Sequence, residues 1–509
     1  NSIGFIVIGK VRMGWLKYFA FLASPLILLG AESGSRSEYW LNKGKRELEE
    51  TLKISENLNK AKNMILFISD GMGISQTTAT RYLKGQLTKT PGEEGLLFYE
   101  TFPYLGLSKV YSNDNIIPDS SSTATAILSG VKVNHYTVGL SPDVKKDDCS
   151  ASLDPHNHLK NIFKYAQDAG KYTGIITNTR ITHATPSAAY SFSAHRNWES
   201  DKDKPASAKD CDDIALQFIR NNVSRNFKVA FGGGWERFLP QSLKGVRKDE
   251  RNLIEEWKQD KSLRRISHNY VNSVEQLRDI DLDQKEDILG LFGSSHLPFA
   301  VEKKDVPSLE EMVKVAITKL KQSDKGFVLM VESGRGDKAL HLNQAKKALY
   351  EVLELEKAVK MAKDLTSDKD TLIIVTSDHS QSLVINGKAP RGSDILGFGD
   401  ANSEVDGLPY TVLSFGNGPG YKTHVIDNNM TRLNLTETDT TADNFIQPSA
   451  FTPRNKDAFH SGEDVAIYAS GPMGHLLRGV HEENYIFNAM CYASCICGSK
   501  YSCHSDSST

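Results

Sequence analysis

Five short apolar runs, each bounded by turn residues, constrain the fold of this chain more than any other feature. Their length and composition are typical of buried strands. Between them lie helical patterns, the clearest over residues 344–365, where apolar side chains recur at helical spacing. This alternation predicts an α/β fold, with a central, mostly parallel sheet and helices on both faces. The predicted strands are residues 64–68, 174–177, 228–231, 327–331 and 372–375.

Composition and charge exclude several classes of protein. The chain has 509 residues, 39% of them apolar and 24% charged, so it can bury a large core and is neither wholly disordered nor a disulfide miniprotein. With 61 Lys and Arg against 63 Asp and Glu, the formal charge is −2. That balance gives no reason to expect a nucleic-acid partner or an anionic membrane surface. Any bound anion must be held locally.

Residues 13–31 have the pattern of a secretory signal peptide, with Lys17 before an apolar run and small residues at its end. A membrane anchor is the alternative. The run is interrupted by Pro25 and is shorter than the roughly 20 residues that a spanning helix needs. We therefore expect a signal peptide, with residues 1–12 upstream of the true start.

The rest of the chain divides by pattern. Residues 387–459 are rich in Gly, Asn, Asp and Thr without a long helical pattern, which indicates an inserted, surface-exposed subdomain. The pattern at residues 38–58 predicts a charged helix with Trp40, Leu41 and Leu48. We expect this helix to pack on a partner subunit; the alternative is that its apolar side chains fold back on the core of their own chain. The predicted parts are an N-terminal helical arm at 32–58, an α/β domain at 59–386 and 460–495, the subdomain at 387–459 and a tail at 496–509.

Cysteines and glycosylation sequons indicate an oxidising compartment. Cys149 and Cys211 stand alone, whereas four of the six cysteines crowd the C-terminal region. Zinc binding by this crowd is the alternative to disulfides, but a signal peptide favours disulfides. Sequons occur at Asn222, Asn429 and Asn434.

We expect a protein that is secreted or held on the extracellular face of the plasma membrane. Residues 505–509 are small and polar, as before a lipid-anchor site, although no hydrophobic tail follows them. A glycosylphosphatidylinositol (GPI) anchor and release from the cell therefore stay as alternatives.

Acidic residues follow three of the predicted strands. Asp70 follows the first run, Glu332 the fourth, and Asp378 with His379 the fifth. Acids at strand ends are usually caps or solvated turn residues. Because the carboxyl ends of parallel strands share one edge of the sheet, these groups together predict a metal site there.

A hydroxyl-rich turn at 118–126 leads into a predicted helix, and its N-terminus favours an anion. A serine-rich turn alone is most often a plain helix cap. A phosphate-ester hydrolase needs a nucleophile, cations and a planar donor for the phosphoryl oxygens. Ser120 is the candidate nucleophile, and we expect its hydroxyl to face the surface at the rim.

Four segments together resemble the alkaline phosphatase family: residues 68–73, 119–126, 375–379 and 459–465. The resemblance runs from about residue 63 to 493, with the motifs in family order. It implies a metal-dependent phosphomonoester hydrolase that forms a phosphoserine intermediate, and a homodimer. It also implies that the α/β domain is catalytic and that the subdomain at 387–459 is crown-like.

Residue by residue, the resemblance implies Ser120 as the nucleophile and Arg196 as the group that binds two phosphoryl oxygens. It implies two zinc ions and one magnesium ion per subunit. The implied ligands are Asp337, His341 and His460 for one zinc ion, Asp70, Asp378 and His379 for the other, and Asp70, His183, Thr185 and Glu332 for magnesium.

The chain departs from the family pattern at a few positions. Lys338 follows Asp337 as in bacterial members, whereas His183 matches vertebrate members. We expect Lys338 to reach the substrate phosphate through water; the alternative is an ordinary solvated lysine. Gln381 replaces a family histidine near the metals, which puts the support of the ligands in doubt. The resemblance also implies disulfides Cys149–Cys211 and, approximately, Cys495–Cys503, and leaves Cys491 and Cys497 unassigned.

A second class of function is a catalytically weak, phosphatase-like secreted binding protein or surface receptor. Loss of Ser120, Arg196 or a zinc ligand would favour it. All of these residues are present, so an active phosphomonoesterase is the favoured prediction.

Overall fold

The computed structural model describes residues 35–302, 305–425, 431–453 and 457–498. Contacts define two compact units, one ending at Ile54 and the other beginning at Ser55. The predicted signal peptide and the segment before it lie outside the described residues. Among the described helices, none is both long and apolar enough to cross a bilayer.

The described part of the first unit is mainly helix α1, Arg36–Thr51. A capping box between Ser35 and Glu38 closes its N-terminus. Its apolar side chains Trp40, Leu41 and Leu48 are exposed. The helix ends before residue 58, so the predicted C-terminal boundary is wrong.

Residues 57–59, which the pattern assigned to the helix, instead contact a segment distant in sequence. Asn57 and Asn59 donate side-chain hydrogen bonds to the carbonyls of Asp368 and Lys369. These bonds tie residues 57–59 to the turn before a sheet strand, in a conformation that is not helical. Apolar periodicity at Leu52 and Leu58 could not reveal a contact so distant in sequence.

The second unit is built on a ten-stranded sheet in the order β14-β2-β13-β8-β1-β7-β3-β4-β6-β5. All neighbouring pairs are parallel except those of β13. Two small two-stranded ladders, β10-β11 and β12-β9, lie outside it. The strands are β1 Asn63–Ser69, β2 Tyr104–Lys109, β3 Tyr172–Arg180, β4 Val229–Gly233, β5 His268–Val271, β6 Asp287–Leu291, β7 Phe327–Ser333, β8 Thr371–Thr376, β9 Ser380–Gln381, β10 Leu383–Ile385, β11 Leu413–Phe415, β12 His460–Ser461, β13 Val465–Ser470 and β14 Gly479–Glu482.

Helices cover both faces of the sheet, as predicted. All seven residues of β1 are buried, because alternate side chains enter two separate cores. Ile65 and Phe67 pack in a core with α10 and α12, whereas Met64 and Leu66 pack in one with α3, α5 and α14. The other helices of this unit are α2 Ile74–Thr88, α3 Ser120–Ser129, α4 Cys149–Ser152, α5 Ile162–Asp168, α6 Ala184–Ser187, α7 Ile214–Arg220, α8 Leu253–Leu263, α9 Val274–Arg278, α10 Leu309–Leu320, α11 Arg335–His341, α12 Ala345–Asp364, α13 Gly420–His424 and α14 Tyr485–Ser494.

Residues 387–459 are mostly irregular in their described part, where β11 and the short helix α13 are the regular elements. The boundaries of the inserted subdomain, like those of the other predicted parts, stay predictions.

Disulfides account for the described cysteines. Cys149–Cys211 is formed as predicted, and Cys491 pairs with Cys497, which the sequence left unassigned. Cys495 is also disulfide-bonded; its predicted partner Cys503 lies outside the described residues. Of the sequons, Asn222 and Asn434 are exposed, and Asn429 lies outside the described residues.

Candidate active site

Ser120 is the first residue of α3, and Asp119 caps this helix by accepting from the backbone N–H groups of Ser121 and Ser122. The Ser120 Oγ lies 3.2 Å from His379 Nε2 and 3.4 Å from Asp70 Oδ2. Only 1% of Ser120 is exposed, so the expectation of a surface-facing hydroxyl is wrong. The side chains that meet over the end of α3 cover it.

The acidic residues meet because their strands are neighbours. Strand β1 lies between β7 and β8 in the sheet. Asp70 directly follows β1, Glu332 lies near the end of β7, and Asp378 follows β8. All three are completely buried. The predicted convergence at one edge of the sheet is therefore present.

Asp70, Asp378 and His379 place one potential ligand atom each within 4.8 Å of one another. This group, which we call the serine-side group, is the set that the resemblance implies for the zinc ion nearest Ser120. Asp70, His183 and Glu332 form a second such group, which we call the Glu332 group. Thr185, the remaining predicted magnesium ligand, is buried close in sequence to His183, in α6.

The predicted ligands of the other zinc ion also converge. His341 Nε2 lies 3.1 Å from Asp337 Oδ2 and 3.1 Å from His460 Nε2. Asp337 and His460 also form a group within 4.8 Å with His379, whose ring stacks on that of His460 with centroids 3.6 Å apart. We call Asp337, His341 and His460 the outer group. His379 thus lies between the outer group and the serine-side group.

Hydrogen bonds orient these ligands. His341 and His460 point their Nδ1 atoms at the carbonyls of Ala458 and Pro118, at 2.5 and 2.9 Å, which leaves Nε2 of each ring for the site. Gln381 donates to Asp337 Oδ1 at 2.6 Å. Gln381 also pairs with His460 in the β9-β12 ladder, so it supports the outer group on two sides.

The site concentrates negative charge away from water. Burial, with Asp378 and Asp337 nearby, raises the pKa of Asp70 well above its ordinary value. Burial also raises the pKa of Glu332 to about 7 and that of Asp378 to about 6. It lowers the pKa of His379 to about 4, which favours a neutral ring able to ligate a metal. Such a site needs cations to hold its carboxylates ionised.

Buried polar atoms at the same place lack partners. Glu332 Oε1, Asp378 Oδ2 and His183 Nδ1 have no hydrogen bond within the described part of the chain. Orphaned ligand atoms of this kind are costly unless something binds them. Carboxylates with imidazoles suit zinc, and a mainly oxygen-donor set suits magnesium. The residues present therefore fit the predicted metal ions.

Arg196 lies at the wall of a cavity of about 640 Å³. Its Nη1 donates to Asp119 Oδ2 at 3.1 Å and its Nη2 to His183 Nε2 at 3.3 Å. Although burial opposes it, Arg196 keeps the pKa of Asp119 below its ordinary value. A fixed guanidinium at a cavity wall suits a planar oxyanion. The cavity is also lined by Asp119, Tyr136, His183, Asp337, Lys338, His341 and His460.

Comparison with known proteins agrees with this geometry. The sequence profile of the family described as alkaline phosphatase matches residues 61–496. The chain belongs to the alkaline phosphatase family.

Relatives and solved structures support this membership. The tissue-nonspecific isozyme of alkaline phosphatase from Rattus norvegicus is 42% identical to this chain, in an alignment that covers 90% of this chain and 88% of the rat protein. The membrane-bound alkaline phosphatase of Bombyx mori is 36% identical, covering 92% and 87%. The structure of Thermus thermophilus alkaline phosphatase superposes with a TM-score of 0.62, at 23% identity, over 87% of this chain and 93% of that one. The chain is thus a phosphomonoesterase with the alkaline phosphatase fold.

Within the alkaline phosphatase site, Lys338 is half-buried and lines the cavity next to Asp337. This is the location that a phosphate contact requires, and the contact itself stays a prediction. Asp119 had no predicted role, although a signal existed, since an acid directly before the candidate nucleophile is also a helix cap. For Gln381 the resemblance indicated a position near the metals. Its hydrogen-bond partner Asp337, 44 residues away, could not be predicted.

Proposed function

We propose that this chain hydrolyses phosphomonoesters through a phosphoserine intermediate on Ser120. The observation that carries the proposal is the position of the Ser120 Oγ, 3.2 Å from His379 Nε2 and 3.4 Å from Asp70 Oδ2. The hydroxyl therefore touches two residues of the serine-side group. It also begins the helix whose capping residue, Asp119, holds Arg196.

The chain's own residues divide the work of binding and attack. Arg196 binds two phosphoryl oxygens, and the N-terminus of α3 adds a favourable potential for the dianion. Ser120 Oγ loses its proton to solvent water and forms a bond to phosphorus as the bond to the leaving oxygen breaks. The leaving oxygen takes up a proton from water and departs as the alcohol, and a water molecule later hydrolyses the phosphoserine to release inorganic phosphate and restore the Ser120 hydroxyl. Arg196 stays in contact with the transferred group during both steps and stabilises its charge. Lys338 adds positive charge at the same cavity wall.

Three metal ions complete the proposal. When bound, zinc and magnesium would lower the pKa of the attacking oxygens and would neutralise charge on the leaving oxygen. The proposed ligands are the serine-side group for one zinc ion, Asp337, His341 and His460 for the other, and the Glu332 group with Thr185 for magnesium.

The test is to trap the phosphoenzyme. The metal-loaded chain is mixed with a phosphomonoester labelled in the phosphoryl group, quenched in acid and digested to locate the label. We expect label on Ser120 and none in Ser120→Ala. Ser129→Ala is the matched control, since this serine ends the same helix and donates to Thr125 O at 2.7 Å; it should keep the label. Label retained by Ser120→Ala would refute the nucleophile, and absence of turnover in the unaltered chain would favour the phosphatase-like binding protein.

We also propose that the chain is exported and glycosylated and that it forms a homodimer. It acts outside the cell or on the outer surface of the cell. Exposed Asn222 and Asn434 and the disulfides support export. The name of the Bombyx mori relative supports attachment to a membrane, here through a lipid anchor. Expression in animal cells tests the proposal: a glycosidase should reduce the apparent mass of the exported protein. A phospholipase that cleaves GPI anchors distinguishes anchored from secreted protein.

A further inference from the structure

Tyr136 has a left-handed backbone at the edge of the cavity, with φ of +69°. This region is uncommon for residues other than glycine and is a strained conformation for a bulky side chain. Strained residues persist only where their surroundings hold them, and they concentrate at functional sites. We therefore consider which contacts hold Tyr136 in this conformation and what function the conformation serves.

The main chain of Tyr136 contacts the two residues that form the phosphate-binding wall. Its N–H donates to Asp119 Oδ1 at 2.9 Å, and its carbonyl accepts from the Arg196 N–H at 2.9 Å. Asp119 in turn accepts from the Arg196 guanidinium through its other carboxylate oxygen. One peptide segment thus fixes the carboxylate that orients the guanidinium and the backbone that carries it.

The ring of Tyr136 is held from several sides. His135 packs edge-on against it, with centroids 4.3 Å apart, and His195 stacks on it at 5.2 Å with planes 21° apart. The Lys146 Nζ lies 4.4 Å from the ring centroid. Edge-on, stacked and cation–π contacts each stabilise an aromatic ring. Together they offset the backbone strain and keep the residue left-handed.

We propose that Tyr136 is a positioning residue that sets the strength with which Arg196 binds the phosphoryl group. The proposal rests on the proposed function, in which Arg196 is the phosphate ligand. Through its two main-chain hydrogen bonds, Tyr136 fixes the position of Arg196 relative to Asp119. The contacts of its ring maintain the backbone conformation that those bonds require.

This role predicts an unusual order among substitutions. Tyr136→Ala loses the ring contacts but keeps a Cβ, so the strain is no longer offset and the backbone should leave the left-handed region. Tyr136→Gly loses the same contacts but adopts this conformation without strain. Glycine should therefore preserve phosphate binding better than alanine. Tyr136→Asn should resemble glycine, since asparagine tolerates this region.

The test uses the full chain loaded with zinc and magnesium, and inorganic phosphate as the probe. Calorimetry gives the Kd for phosphate, and steady-state hydrolysis gives KM and kcat. We expect Tyr136→Ala to raise the Kd by about tenfold, or ~1.4 kcal/mol, and Tyr136→Gly by about threefold or less. In an Arg196→Ala background, where the guanidinium is absent, Tyr136→Ala should change the Kd by less than about twofold.

The matched control is Lys244, an exposed residue with φ of +65° that does not line the cavity. Lys244→Ala and Lys244→Gly should leave the phosphate Kd unchanged. Equal Kd values for Tyr136→Ala and Tyr136→Gly, or a full effect of Tyr136→Ala without Arg196, would overturn the proposal. If Tyr136→Ala does not fold, wild-type-like phosphate affinity of Tyr136→Asn supports the proposal and a tenfold loss contradicts it. Because calorimetry does not require turnover, failure of hydrolysis would refute the proposed function and not this role.

Discussion

Replacing Gln381 by leucine should weaken metal binding at the outer group of Asp337, His341 and His460. Gln381 Nε2 donates to Asp337 Oδ1 at 2.6 Å, and each of these two residues is only 3% exposed. Leucine has a similar volume and cannot donate a hydrogen bond. The substitution therefore removes one donor from the ligand and leaves its carboxylate less fixed.

The size of the effect follows from this contact. A hydrogen bond to a charged group contributes about 1.5–3 kcal/mol, and its loss from a metal ligand's support typically costs about 10–100-fold in metal affinity. We expect a loss in this range for one class of zinc sites. The serine-side group should be less affected, because its Asp378 accepts from the backbone N–H groups of Gly71 and His379.

Zinc titration of the apo chain against a competing chelator measures this loss, and thermal unfolding reports the accompanying change in stability. Gln217→Leu is the matched control, since Gln217 donates to Phe192 O and Asp212 O and does not line the metal-bearing cavity. Gln217→Leu should lower the thermal stability of the chain without lowering its affinity for zinc. Unchanged zinc affinity in Gln381→Leu, or an equal loss in Gln217→Leu, would refute the reasoning.

Three further predictions concern stability, phosphate release and assembly. Burial raises the pKa of Glu351 to about 7 from 4.5, so its ionised form destabilises the fold increasingly as pH rises between these values. The unfolding free energy of Glu351→Gln minus that of the wild type should therefore increase by up to ~3 kcal/mol between pH 4.5 and 8. Urea unfolding at several pH values measures this difference, and a difference that does not vary with pH contradicts the prediction. Lys338→His should weaken inhibition by phosphate and increase the response to added magnesium at one alkaline pH, and superimposable curves would favour a solvated lysine. Deleting residues 32–58, which removes the exposed Trp40, Leu41 and Leu48 of α1, should give monomers in sedimentation at micromolar concentration, and a dimer after deletion would exclude the helix from assembly.

Strands buried on both faces were the predictable part of the fold. The run at 64–68 is continuously apolar because β1 contributes to two cores, and the same reason made β3, β4, β7 and β8 recognisable. Strand β5, His268–Val271, lies at the edge of the sheet and is only partly buried, so it has no such run. Strand β13 is apolar and fully buried, but its antiparallel direction depends on pairing with β2 and β8, which its own sequence does not specify.

Local sequence pattern was sufficient to predict a metal site formed by carboxylates. Side chains at the C-terminal ends of strands β1, β7 and β8 meet if the strands are parallel neighbours, so Asp70, Glu332 and Asp378 could be placed together from local pattern. Local pattern also placed His379 there, and the resemblance to alkaline phosphatases then supplied the other histidines. It also supplied the pairing of Ser120 with Arg196.

The contacts that hold these residues in place could not be predicted from local pattern. Three examples depend on segments far apart in the chain. They are the burial of Ser120, the hydrogen bond from Gln381 to Asp337, and the main-chain hydrogen bonds of Tyr136 with Asp119 and Arg196. Ser120 and His379, for example, are 259 positions apart. Local pattern reports which residues are apolar, charged or turn-forming, because these properties act over a few neighbouring positions. It does not report which distant side chain completes a hydrogen bond, since that depends on how the packed elements place their loops.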